Sequence, residues 1–177
     1  TMDFFLRWQF KEMKVCLPID PAAYTYNKVL VFNLGFDRKG WSEPHWVYFA
    51  DRSLAFYRIG WYDNIFGSER MSLYVEIGAP RDAELDIPAL RAQVLADLER
   101  AGVTQGHALV AEHHVVMDPA YVHITRESRA QVEQYRKVLA TRGVYTIGRY
   151  GGWTYCSIED NIVEARALAE VFRAAGR

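Results

Sequence analysis

The chain has 177 residues, 50% of them hydrophobic and 24% charged, with a formal net charge of −1. That length allows roughly 70% of the unfolded surface to be buried, so a sizeable core is available. The balanced charge, with no basic block, argues against a nucleic-acid partner, and no apolar run reaches the roughly 18 residues of a membrane span. Cys16 and Cys156 form no CxxC pair, so zinc is not expected, and a reducing, cytoplasmic compartment is the simpler reading. The chain opens on Thr1 with no targeting segment, which is read as the start of a fragment. Tyr and Trp number 11 and 5, and such residues suit a ligand cleft or an interface as well as a core.

In chain order, residues 1–10 are apolar and aromatic without a clean period, and Leu17-Pro18-Ile19-Asp20-Pro21 interrupts any regular element. Residues 27–34 read as a strand buried on both faces, because the run is almost continuously apolar. Residues 45–50 read as a second strand, Asp51-Arg52-Ser53 as a tight turn, and 54–59 as its hairpin partner. After a long connection, residues 72–77 alternate, with Leu73, Val75 and Ile77 on one side and Tyr74 and Glu76 on the other. Asp86 caps a helix whose core stripe is Leu90, Val94, Leu95 and Leu98, and Gly102 stops it. A strand over 108–116 is expected to end at Asp118-Pro119, followed by a short extended piece, 121–124. Thr125 caps the next helix, with Val132, Tyr135 and Leu139 facing inward and Gly143 stopping it.

The most informative stretch comes last. Val144-Tyr145-Thr146-Ile147 is β-branched and aromatic, as in a buried strand. Gly148, Gly151 and Gly152 then make a glycine-rich turn. Ser157 and Asp160 form a capping-box-like pair that opens a helix carrying Ile162, Ala165, Ala169 and Phe172 at helical spacing. A helix N-terminus at a glycine turn offers free N–H groups and the positive end of a dipole. Arg149 adds a cation, and Trp153 and Tyr155 add flat surfaces, so the set suits an anionic, planar ligand; an ordinary capped strand-turn-helix fits the spacing equally well. The strand between two helices has the form of a parallel α/β sheet, whereas the early hairpins are antiparallel. The expected fold class is therefore α+β: a mostly antiparallel sheet with helices on one face over residues 1–143, plus a strand–helix piece of an incomplete α/β domain over 144–177.

Arg58 lies on a strand among aromatics and, if alternation holds, shares a face with Phe56. It is either paired with an internal carboxylate such as Glu76 or reserved for a ligand phosphate. His113 and His114 point to opposite faces of a strand and cannot chelate one ion together, so no metal site is expected. Cys156 lies in no nucleophile signature, Ser157 is better used as a cap, and Glu69, Glu76 and Glu112 are not paired by spacing for acid–base work. Tyr121, at a strand end, is either a ligand-facing residue or a rim aromatic.

Three segments together resemble the C-terminal half of FAD-dependent enzymes of the amine-oxidase superfamily. They are His45–Phe49 running through Phe56-Tyr57-Arg58-Ile59, then residues 72–77, then residues 148–160. The group most resembled is UDP-galactopyranose mutase with the protoporphyrinogen-oxidase-like proteins. The resemblance implies that the glycine–arginine segment returns to the FAD domain, with Gly148 and Arg149 at the cofactor and the Ser157 and Ile158 backbone near the flavin ring. It implies that Arg58, Tyr121 and Tyr155 bind a substrate diphosphate. The mutase has an aspartate where this chain has Ser157. The family's phosphate-binding GxGxxG is missing here, so the resemblance implies an absent N-terminal Rossmann domain. A chain of this extent alone is expected to be inactive and not to retain FAD.

The function that follows is that of a fragment of an FAD-dependent oxidoreductase or flavin-using mutase. Its substrate would be a small molecule, a sugar nucleotide or related precursor of cell-surface polysaccharide, and a homodimer is possible. The rivals are a non-catalytic ligand-binding or dimerisation module, and a stand-alone enzyme built around Arg58 and Glu76 that turns over without flavin.

Overall fold

A computed structural model describes residues 19–176; the apolar segment 1–10 and Cys16 lie outside them. The chain divides into two compact units. One is Tyr26–Tyr121, and the other joins the described residues up to Thr25 with those from Val122 onward. The fold class is the α+β one expected, with a five-stranded antiparallel sheet and five helices.

The sheet belongs to the first unit. Its strands are β1 (Tyr26–Phe36), β2 (Trp46–Tyr48), β3 (Arg58–Trp61), β4 (Ser72–Pro80) and β5 (Leu109–Val122), in the order β2-β3-β4-β1-β5. β1 and β4 form the centre, with Leu30 opposite Ile77 and Leu34 opposite Leu73. Period-2 alternation sends Leu30, Phe32, Leu34 and Phe36 of β1, and Leu73, Val75 and Ile77 of β4, into one core. β1 was expected to be buried on both faces. Instead Val31, Asn33 and Gly35, on the face opposite the core cluster, are only half-buried.

The cover is α2 (Ile87–Arg100). Asp86 caps it by accepting from the Ala89 N–H at 3.0 Å, and Val94 and Leu98 enter the core cluster with Ile59 and Trp61. A short helix, α1 (Tyr62–Phe66), leads from β3 towards β4. Its buried Asp63 accepts from Lys39 Nζ at 2.5 Å and from the Ser72 N–H at 3.1 Å, so the connection is fixed by a paired charge.

Two strand boundaries differ from expectation. β5 runs through Asp118-Pro119 instead of stopping there. It is an outer strand, where a residue without an N–H is tolerated. The hairpin partner 54–59 begins pairing only at Arg58, which faces Tyr48. The approach to it is a wider turn in which the Asp51 carboxylate accepts from the Ser53 N–H at 2.8 Å.

In the second unit, α3 (Arg126–Ala140) opens with a Thr125/Ser128 capping box and buries Tyr135 and Leu139. Residues 144–147 join no strand ladder among the described residues, and of them Ile147 has an extended backbone. The glycine-rich turn is a single helical turn, α4 (Gly148–Gly151). α5 (Ile158–Ala174) follows, and none of its residues is buried. Of the stripe expected to face a core, Ile162, Ala165 and Ala169 are exposed, and Phe172 is half-buried, edge-on to Tyr145 at 5.1 Å. No described helix is long and apolar enough to cross a membrane.

Candidate functional site

The sheet face opposite the core cluster is aromatic and carries one charge pair. The registers Tyr48↔Arg58 and Arg58↔Glu76 set these three side chains in a row across β2, β3 and β4. Glu76 is 4% exposed and takes two donors: Arg58 Nη2 on Oε1 and the Tyr57 hydroxyl on Oε2. Arg58 Nη1 donates to the Tyr48 hydroxyl at 3.1 Å. The guanidinium lies 5.6 Å from the Tyr48 ring centroid and 5.7 Å from that of Tyr74, within cation–π range. Tyr62 extends the layer, 5.2 Å from Tyr74.

Gly60 explains how Tyr74 lies so low. A Cβ there would meet the Tyr74 ring at 2.1 Å, so only glycine leaves room for the ring against β3. Burial first, and then the Glu76 hydrogen bond, push the Tyr57 phenol well above its ordinary range. Burial works against the Arg58 charge, but the hydrogen bonds from Glu76 and Tyr48 outweigh it, and the guanidinium is held more firmly protonated than usual. Tyr121 stands beside this group and contributes to the upward shift of Tyr57.

The expected pairing of Phe56 with Arg58 on one face does not hold. Phe56 is buried in the core cluster, edge-on to Phe49 at 5.1 Å, because strand alternation starts only at Arg58. Tyr57, the residue between them, joins the arginine through Glu76. Tyr48, Tyr57 and Tyr74 were not singled out from the sequence. The Tyr57-Arg58 and Tyr74-x-Glu76 spacings hold the signal, but it becomes readable only with the β3–β4 register.

The second unit holds the other expected site residues. Gly148 has φ +78°, and a Cβ there would meet Asn161 Oδ1 at 2.7 Å. Its N–H donates to Glu164 Oε2 at 2.7 Å, and Glu164 Oε1 accepts from Arg136 at 2.7 Å. Arg149 Nη2 donates to the Cys156 carbonyl at 2.8 Å, and its guanidinium lies 4.9 Å from the Tyr155 ring centroid. The capping box at α5 is formed. The Asp160 N–H donates to Ser157 Oγ at 3.0 Å, and the Ser157 N–H donates to Asp160 Oδ2 at 2.7 Å. Ile158, the first residue of the helix, is 82% exposed. Trp153 is not a ligand surface: it is 4% exposed, donates to the His123 carbonyl at 3.2 Å and meets Tyr24 edge-on at 5.1 Å. Among the described residues no His, Cys, Asp or Glu cluster could hold a metal.

No family model and no curated protein matches the chain. Solved structures do. Reduced UDP-galactopyranose mutase superposes with a TM-score of 0.65 at 22% identity, over 76% of this chain and 30% of that one. A protein from Exiguobacterium sp. 255-15 assigned as a protoporphyrinogen oxidase superposes with a TM-score of 0.67 at 18% identity, over 92% of this chain and 38% of that one. The fold is thus the one the resemblance implied, shared with a part of each of these two structures. The chain spans well under half the length of either.

Proposed function

We propose that this chain is the substrate-binding part, with the closing segment of the FAD-binding part, of a flavin-dependent oxidoreductase or flavin-using mutase. One observation carries the proposal: the fold superposes on two such proteins while spanning 30% and 38% of their length. In this reading residues 1–143 serve substrate, and residues 144–177 complete the cofactor domain, whose Rossmann portion lies elsewhere in the parent protein. The substrate is a sugar nucleotide or related precursor of cell-surface polysaccharide, handled in the cytoplasm, and the parent can act as a homodimer.

The residues of the second unit fit a flavin edge. Ile158 and Glu159 stand in the first turn of the 17-residue helix α5, at the positive end of its dipole, and a Cβ-free Gly148 precedes Arg149. Gly148, Arg149 and the backbone at Ser157 and Ile158 would hold FAD; Arg58, Tyr121 and Tyr155 would hold substrate. FAD supplies hydride acceptance or electron density to the reaction. This chain's residues bind, orient and shield. The Ser157 side chain, its N–H and the Asp160 carboxylate are all occupied by the cap, so a flavin at this end would meet the Ile158 backbone or displace the Ser157–Asp160 bond.

The test is the absorbance spectrum of the full-length parent, which should carry flavin bands. Arg149→Ala in that protein should lower flavin occupancy while leaving the circular dichroism spectrum intact. Unchanged flavin content would overturn the cofactor assignment. A second reading, a non-catalytic ligand-binding or dimerisation module, draws support from the internal neutralisation of Arg58 by Glu76; a parent without bound flavin would favour it.

A further inference from the structure

Taking the sheet face as the substrate face, we infer that Glu76 is a positioning residue that restrains Arg58 from two-pronged capture of a phosphate, and so sets how tightly that face holds a diphosphate. A guanidinium offers two forked edges, Nε with Nη2 and Nη1 with Nη2, and a phosphate gripped on either edge uses both nitrogens. Nη2 is common to both edges, and one of its two N–H groups donates to Glu76 Oε1, which seats a carboxylate against the guanidinium. Nη1 is held by the Tyr48 hydroxyl at 3.1 Å. Nε is buried without a hydrogen-bond partner, so it is the one guanidinium nitrogen left over.

The restraint is itself anchored. Glu76 is 4% exposed, directly opposite Arg58 in the β3–β4 register, and its second oxygen is held by the Tyr57 hydroxyl. The carboxylate therefore cannot swing aside without breaking its hydrogen bond to the Tyr57 hydroxyl. The row Tyr48–Arg58–Glu76 carries no net charge. Around it stand the Tyr48, Tyr74 and Tyr62 rings, which offer stacking surface and not cation. A diphosphate reaching this face competes with a carboxylate already seated on the arginine. Affinity is thereby kept low and selectivity falls to the part of the ligand that meets the rings.

The experiment is calorimetric titration of UDP into the 177-residue chain, with uridine as the phosphate-free control. Glu76→Gln keeps the shape and removes the competing charge; it should bind UDP roughly tenfold tighter than the parent sequence, with no gain for uridine and a gain that shrinks in high salt. A carboxylate that merely stabilised the sheet would show a lowered melting temperature and no tightening. Should Glu76→Gln fail to fold, Tyr57→Phe decides, since it frees Oε2 alone and should tighten UDP by a smaller factor. Equal or weaker UDP binding by the folded variants, absence of binding by all of them included, overturns the inference. Flavin content of the parent is a separate measurement, so the two readings fail independently.

Discussion

Arg58 and Glu76 show how one buried carboxylate can determine what an arginine is available for. Removing either partner leaves the other charge without its mate in a low-dielectric setting, and the cost falls harder on the more deeply buried Glu76. Arg58→Met alone should lower stability by about 3–5 kcal/mol, measured as a reduced urea midpoint. The double variant Arg58→Met/Glu76→Leu should recover most of that loss; a double variant as unstable as the single would show that the pair is not the source. Residue identity made Arg58 a candidate from the sequence, and Glu76 was visible as its internal alternative. Tyr48 and Tyr74 were not legible, because their proximity to Arg58 depends on strand register and on a glycine at position 60 that lets a ring lie flat.

Elements with local instructions were the readable ones. Asp86, Thr125 and Ser157 each cap the helix that follows, by side-chain bonds that depend on residues three positions away. Ser157→Ala should cost α5 about 1 kcal/mol of helix stability, seen as earlier loss of helical signal on heating. The Asp160 carboxyl is held below the usual carboxylate range, first by the Ser157 N–H and then by its hydroxyl. A depressed folded value means that the cap contributes fully above the ordinary carboxylate range and is lost as pH falls through the lowered value. Acidification should therefore fray α5, and Ser157→Ala should blunt that pH dependence; an equal acid response in both proteins would remove Asp160 as the cause. Strands were less legible than helices. Residues 144–147 have strand composition, but a strand is completed by its neighbour, and none of the described residues supplies one. The β5 overrun had the same cause in reverse, since proline forbids only a donor that an outer strand need not use.

At the scale of the molecule, the two units are unequal in how far each buries itself. The sheet unit contains a continuous cluster from Leu30 to Val103 built on β1, β3, β4 and α2. In the other unit α5 buries no residue at all. Local opening follows burial. Amide exchange should therefore be slowest at Leu30–Leu34 and Leu73–Ile77 and fast along α5; comparable protection in both would contradict this picture. The open stripe of α5 and the unpaired stretch before it are features that composition and spacing could place but not complete.

That stretch carries a practical consequence. Tyr145, Thr146 and Ile147 have strand composition and no ladder partner among the described residues, and a segment of that composition pairs with a like strand once it is exposed. In concentrated solutions of this chain the readiest such strand is the same stretch of another molecule. Handling losses, turbidity and slow oligomer growth should therefore begin at these positions, and a lysine at 146 is the substitution that would suppress them.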